Sequence, residues 1–145
     1  MISITVQGAD RLLIFLDAMA SDATVFGLVT ILGEMSRGQV VEHFGKETGP
    51  LGRWDPLRPS TIARRKKNSS AVLQDDGILM GSIDFITGGA TAQVGTNVFY
   101  GKYHQYGGTW RGRPNPPQRA FLGWTPGDLD ELQVAAVAYL GRMAA

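Results

Sequence analysis

The stretch from residue 99 to residue 124, FYGKYHQYGGTWRGRPNPPQRAFLGW, most constrains what this chain can fold into. Proline lacks an amide donor and glycine costs roughly 1 kcal/mol relative to alanine inside a helix, so this segment cannot form one long helix. It also concentrates aromatic rings, which are stable when they are buried against something. We therefore expect an extended segment that covers a sheet and also reaches a partner.

Length and charge limit the classes of protein to which the chain can belong. Its 145 residues suit one domain, residues 1–145, able to bury about two-thirds of its unfolded surface. The absence of cysteine excludes disulfides, thiolate metal sites and thiol nucleophiles. A net charge of +1 gives no overall attraction to nucleic acid or to an anionic membrane. No apolar run approaches the ~20 residues of a membrane span, so we expect no membrane partner.

The N-terminal half shows helical spacing after one short alternating segment. Apolar and polar residues alternate over residues 2–6, which predicts a strand. A buried helix is predicted over residues 10–19, followed by a longer one that Ser21 or Asp22 caps and that runs to Phe44. Glycine permits close backbone approach, so tight packing and a kink near the last glycine are expected from Gly27, Gly33 and Gly38.

Turn-forming residues divide the second half of the chain. Prolines and glycines over residues 48–59 end helical structure, and a brief helix capped by Ser60 is expected to run to about Lys67. Two strands over residues 78–87 and 91–98, joined by two glycines and an alanine, form the strongest hairpin signal in the sequence. We place the centre of the sheet there.

The last helix completes the predicted fold. Thr125 can cap it, Pro126 suits its first position, and acidic residues follow at its positive end. We expect it to pack across the hairpin sheet. The predicted fold class is α+β, with a small, mainly antiparallel sheet packed with N-terminal helices and a C-terminal helix, and with an extended Pro/Gly-rich arm over residues 107–119.

The sequence contains no recognisable catalytic pattern. His43 and His104 are the only histidines and lack a two-ligand spacing, and a lone imidazole usually makes a structural hydrogen bond. Ser82 does not lie in a G-x-S-x-G turn, and the glycines form no phosphate-binding loop. Asp75 and Asp76 could bind a hard cation, but adjacent acids more often form a solvated turn or a helix cap. We predict no enzyme and no cofactor; the enzymatic alternative would centre on His104.

One basic cluster stands out between residues 53 and 67. It has two interpretations: a solvated helix end, since cations are favoured at the negative C-terminus of a helix, or a surface that contacts DNA phosphates or an acidic partner. Four consecutive charges spread around most of a helix and make no single stripe. The candidate contact residues are Arg58, Arg64, Arg65, Lys66 and Lys67.

The aromatic residues of the arm also have two interpretations. Phe121 and Leu122 precede the final helix and are expected to join the core. Trp110 can scarcely reach its own core, and Trp and Arg dominate binding energy where proteins meet. We therefore predict that the arm is a subunit interface, with these residues: Trp110, Arg111, Arg113, Pro116, Pro117 and Arg119.

The chain resembles the Mu-like phage virion-morphogenesis family in four segments that keep the family order. Two lie in the arm region: Tyr100, His104, Gln105, Gly107 and Gly108 resemble a YA..HQ.GG signature, and residues 117–123, PQRAFLG, resemble P.RPFLG. Upstream, the residues that include Trp54 resemble P.G..W.PL...T, and those that include Ser82 resemble L...G.L..SI. Gly101 stands where the family usually has alanine and Ala120 where it has the second proline, which puts local backbone stiffness in doubt.

The resemblance implies a structural virion protein of the tail or neck, similar to tail-completion proteins, that is assembled in the host cytoplasm. It implies a homo-oligomeric ring, a hexamer if it follows six-fold tails, with the tail tube and the head-connector or neck proteins as partners. Genome DNA would pass through its lumen without sequence readout. Trp54 and His104 would be structural, with His104 ordering the corner between Tyr100 and Gly108. The alternative from another class is a small nucleic-acid-binding module that uses the basic cluster.

Overall fold

A computed structural model of the chain describes residues 2–5, 22–67, 70–114 and 117–143. Its main sheet has three strands in the order β1-β5-β4: β1 spans Ile2–Thr5, β4 spans Asp84–Gly88 and β5 spans Thr91–Thr96. Both pairings are antiparallel, with Ile4 opposite Val94 and Phe85 also opposite Val94. The expected α+β class with a small antiparallel sheet is confirmed. The helix predicted over residues 10–19 lies outside the described residues.

The hairpin at the centre of this sheet forms where the sequence predicts it. Gly88 pairs with Thr91, so Gly89 and Ala90 make a two-residue turn. Gly89 has φ +58°, which suits the first central position of the tight turns that match the twist of a hairpin. The first strand is shorter than predicted, because Ile78–Gly81 form a one-turn helix, α3, instead of strand. Apolar residues alone do not distinguish these two states over so short a run.

The longest helix, α1, spans Asp22–Lys46 and lies on the sheet. Two of its glycines permit the close packing that we expected: a side chain on Gly27 would meet the Tyr139 hydroxyl, and one on Gly33 would meet the Phe85 ring. Gly38 has no neighbour of this kind. The helix continues through Gly38 to Lys46, beyond the predicted end at Phe44.

The C-terminal helix, which is the last in the chain, spans Pro126–Met143 and packs on α1 rather than directly across the sheet. Leu132 and Ala136 are its buried residues, and Leu28 of α1 joins Ala136 in a small apolar cluster. Thr125 caps it as predicted: its hydroxyl accepts from the Asp128 amide at 3.2 Å, and its amide donates to the Asp128 carboxylate at 2.8 Å. The sequence signal for this helix was local, and α1 is the element that bridges it to the sheet.

Short elements connect these parts and surround the main core. They are β2 (Thr48–Gly49), β3 (Gly52–Arg53), α2 (Pro59–Arg64), α4 (Gly101–Tyr106), β6 (Thr109–Trp110) and β7 (Arg113–Pro114), so that the C-terminal helix is α5. Helix α2 starts at Pro59 and ends at Arg64, not at Ser60 and Lys67 as predicted. The main core holds Phe44, Trp54 and Phe121. The Phe44 ring contacts the other two, with centroid distances of 5.5 Å to Trp54 and 5.4 Å to Phe121.

Candidate functional site

The segment from Pro117 to Gly123 crosses the core without belonging to any strand. Phe121 and Leu122 are 0% and 1% exposed, as expected for core residues. A buried backbone that has no strand partner must find hydrogen bonds elsewhere, because an unpaired buried amide or carbonyl costs free energy. Side chains from three other parts of the chain supply those bonds.

Gln105 makes three of these bonds from helix α4. Its Oε1 accepts from the amides of Phe121 at 3.0 Å and Leu122 at 2.9 Å, and its Nε2 donates to the Leu122 carbonyl at 2.9 Å. A glutamine side chain has both donors and acceptors, so it can replace a strand neighbour for this stretch. Gln105, the second residue of the HQ pair in the family signature, therefore has a clear structural role.

Trp54 and His43 also form hydrogen bonds with this segment. Trp54 Nε1 donates to the Ala120 carbonyl at 3.0 Å, and the His43 Nδ1 is 2.9 Å from the Phe121 carbonyl oxygen. The other ring nitrogen of His43 is 3.0 Å from an Asp128 carboxylate oxygen. Trp54 bonds the backbone carbonyl of residue 120, which alanine and proline both have. Alanine at this position, instead of the family's usual proline, therefore leaves the Trp54 bond available.

Asp128 connects this arrangement to the start of α5. Burial disfavours the charged carboxylate, but hydrogen bonds from Thr125 and from His43 outweigh it and lower the pKa of Asp128 below its ordinary 3.8. The same residue thus caps α5 and orients the His43 ring. The partners of His43 could not be predicted from the sequence, since nothing local relates positions 43, 121 and 128.

Arg119 lies within the subunit. It is 3% exposed, its Nε donates to the Asp55 carbonyl at 2.9 Å and its Nη2 donates to the Pro56 carbonyl at 3.1 Å. Its amide donates to the His104 carbonyl at 2.8 Å. Arg119 therefore joins the loop after Trp54, through its guanidinium, to helix α4, through its backbone amide. We assign Arg119 to the interior rather than to the subunit interface for which the sequence suggested it.

His104 sits beside this bridge in helix α4. Its ring makes an edge contact with Tyr100, with 6.2 Å between ring centroids, and its Nδ1 is buried with no hydrogen-bond partner among the described residues. Burial, helped by the nearby Arg119 charge, lowers the pKa of His104 below its ordinary 6.5. The neutral imidazole is favoured at this position, which suits the structural role that the sequence analysis preferred.

The first half of the arm is a tight hairpin rather than an extended strand. Strands β6 and β7 pair Thr109 with Pro114 and Trp110 with Arg113. The two turn residues Arg111 and Gly112 have φ +49° and +72°, as the type I′ turn requires. Arg111, Gly112 and Arg113 are exposed. The turn of this hairpin carries Arg-Gly in place of the usual Asn-Gly, so the hairpin could not be predicted from the common turn signal.

A cleft of about 780 Å³ brings the two predicted contact sets together. Its lining includes Arg58, Arg64 and Arg65 from the basic cluster and Arg113 and Pro117 from the arm. Leu57, Leu79 and Tyr100 also line it, as do Arg119 and His104. Two aspartates, Asp75 and Asp76, stand against the five arginines, so the charge of the lining is positive. The cleft suits an anionic group that has an apolar part.

The remaining predicted residues lie in different surroundings. Arg58 and Arg64 are exposed. Arg65 is half-buried, and its Nη1 donates to the Ala71 carbonyl. Lys66 and Lys67 are exposed beyond the end of α2 and do not line the cleft. Arg65 also pairs with Asp75, with 3.7 Å between Nε and Oδ1. Pro116 lies outside the described residues.

The geometry offers little to support catalysis or metal binding. Ser82 Oγ is committed to the Leu79 carbonyl at 2.7 Å and to Thr96 Oγ1 at 2.6 Å. Asp76 accepts from the Ile78 amide at 3.0 Å, which is the turn-capping role expected of such a residue. Within the described ranges, no three His, Asp or Glu side chains gather as a metal site would require. None of the described helices is both long enough and apolar enough to span a membrane.

The fold is a small α+β domain whose buried side chains hold one irregular segment in place and leave a hairpin and a basic cleft on the surface. Comparison with protein families identifies it further. The model of the phage virion morphogenesis family matches residues 12–141, so the chain belongs to that family and the resemblance is confirmed. No curated protein and no solved structure matches the chain. Family membership supports a structural or morphogenetic role in a phage and a place in the virion.

Proposed function

We propose that this protein completes or terminates the phage tail and aids head-to-tail joining as a closed homo-oligomeric ring, which we take to be a hexamer. It would act by assembly and not by catalysis. Its partners would be other copies of itself, the tail tube and the head-connector or neck proteins. DNA would pass through the ring without any reading of its sequence.

The observation that carries this proposal is the contrast between the hairpin and the segment that follows it. Residues 117–123 are held by side chains of His43, Trp54 and Gln105, which makes the base of the arm rigid. The hairpin over residues 109–114 instead carries exposed Arg111 and Arg113. A tight turn on a fixed base loses little conformational entropy when it docks, which favours its use as a contact between subunits.

Complementation tests the proposal. A phage or prophage that lacks this gene product would be supplied with the full chain carrying Trp110→Ala, Arg111→Ala and Arg113→Ala together. We expect heads and tails that fail to join, or tails of abnormal length, in electron micrographs. The matched control changes three other residues to alanine: Arg53, Lys102 and Arg142, which are exposed and lie outside the hairpin. Normal particles from the hairpin variant would refute the proposal.

A nucleic-acid-binding module is the second candidate, and one observation favours it. Arg58, Arg64, Lys66 and Lys67 are all exposed, so they could contact phosphates. Non-specific binding of this kind weakens steeply with salt. Retention of double-stranded DNA by the purified chain at low salt, lost when these four residues are changed to alanine, would support this function instead.

A further inference from the structure

We infer that the arginine-lined cleft and the hairpin of one copy bind the outer face of helix α5 of a second copy. This inference rests on the proposed ring and names the two surfaces that would meet in it. We define the outer face by the exposed residues Asp130, Val134 and Val137, which recur at the spacing i, i+4, i+7.

The cleft side of the molecule carries an excess of positive charge, with five arginines against two aspartates in the cleft lining. Residues 53–67 and 99–124, which supply most of the cleft lining and the hairpin, contain a single carboxylate, that of Asp55. Arg58, Arg64 and Arg113 are exposed at this surface. A chain with a net charge of only +1 must carry its compensating acids elsewhere, so the surface is poised for an acidic partner region.

The apolar part of the cleft argues for a protein rather than a nucleic acid. Leu57, Leu73, Leu79 and Tyr100 line it beside the arginines. A helix that presents both carboxylates and aliphatic side chains matches this combination of leucines and arginines. Protein contacts generally combine an apolar centre with a charged rim in this way.

The outer face of α5 has the complementary character. Val134 and Val137 are 69% and 64% exposed, although β-branched residues are only moderate helix formers and gain little when exposed. Asp130 precedes them on the same face, and Glu131, also exposed, adjoins it. None of the residues that line the cleft belongs to α5. The two surfaces are therefore distinct parts of one subunit.

Two distinct surfaces that bind each other give a heterologous contact, in which each copy uses one surface on each neighbour. Such contacts generate rings when the rotation closes. A contact between Arg113 or Arg58 on one copy and Asp130 on the next would set the orientation, and the valines would lie against the apolar residues of the cleft, Leu57 and Tyr100 among them. This arrangement gives every subunit two neighbours without any self-complementary patch.

The absence of cysteine makes a direct test possible. The full chain carrying Arg113→Cys and Val134→Cys would be treated with a short thiol cross-linker, both in cells that assemble particles and in the particles. We expect a ladder of cross-linked oligomers that ends at the ring. Since an interface holds two thiols at a millimolar effective concentration, the yield should exceed that of an Arg113→Cys, Thr91→Cys control by about tenfold. Thr91 is exposed in the sheet hairpin.

A charge exchange provides a second measurement. Asp130→Lys should weaken self-association roughly tenfold in sedimentation, and adding Arg113→Glu to the same chain should restore it. Glu34→Lys, the same change at an exposed acid on α1, should leave association unaltered. Equal cross-linking from the control pair, no ladder from either pair, or no recovery in the double variant would overturn the inference. If the hairpin variant still blocks joining in that case, the ring function stands and another surface receives the hairpin.

Discussion

The side chain of Gln105 bonds the backbone of Leu122 at both ends, because its Nε2 donates to the Leu122 carbonyl and its Oε1 accepts from the Leu122 amide, each at 2.9 Å. This is the pairing that a neighbouring strand would provide, made here by one side chain. Gln105 therefore makes three of the bonds that hold the segment between the core and helix α5.

We predict that Gln105→Met lowers the free energy of unfolding by about 3 kcal/mol. Methionine has a similar length but would leave two amides and one carbonyl without partners, and each such group costs about 1–3 kcal/mol. Denaturation in urea measures the loss. Gln118→Met is the control, because it makes the same substitution at an exposed glutamine. Gln118 makes a 2.8 Å bond to the Gln105 carbonyl, whereas Gln105 makes three bonds to the buried segment. A similar loss in both variants would contradict the special role of Gln105.

Two glycines of α1 should respond to alanine in opposite directions. Gly33→Ala would place a methyl group within 2.9 Å of the Phe85 ring and should destabilise the protein by about 1–3 kcal/mol. Gly38→Ala meets no described residue outside its own helix within 4 Å and should stabilise the protein by about 0.5–1 kcal/mol, since alanine favours the helix. Thermal unfolding of the two variants and the wild type, monitored by circular dichroism, provides the comparison. Equal changes of the same sign would contradict the close packing of α1 on the sheet at Gly33.

The elements with local signals were predictable, and those with long-range causes were not. Helical spacing and the Thr125 cap identified α1 and α5, and the two-glycine turn identified the β4-β5 hairpin. The bonds from His43, Trp54 and Gln105 to residues 120–122 join parts of the chain up to 78 positions apart, so no local pattern announces them. The site was found in part, since the basic cluster and the arm were each selected, but only their folding places Arg58 and Arg113 at one cleft.

Acid should weaken the link between Asp128 and His43. The pKa of Asp128 is lowered in the folded protein, so its contribution is fully present above the ordinary value of 3.8 and is lost as the pH falls through the folded pKa. We expect the stability difference between wild type and Asp128→Asn to be positive at pH 7 and to shrink below about pH 4. Unfolding in urea at a series of pH values measures it. A difference that stays constant as the pH falls would contradict this role of Asp128.

The turn residue Arg111 allows stability and assembly to be separated. Its φ of +49° is unfavourable for arginine and acceptable for asparagine, so Arg111→Asn should stabilise the β6-β7 hairpin by about 0.5–1 kcal/mol. That gain corresponds to roughly two- to fivefold slower exchange of the hairpin amides, measured by hydrogen exchange. If the arginine is kept at this strained position because it contacts a neighbouring copy, the same variant should complement particle assembly less well than wild type. Arg111→Lys, which keeps both the charge and the unfavourable backbone angle, should match the wild type in both measurements. An asparagine variant that is both more stable and fully active would remove Arg111 from the interface and leave Trp110 and Arg113 to carry it.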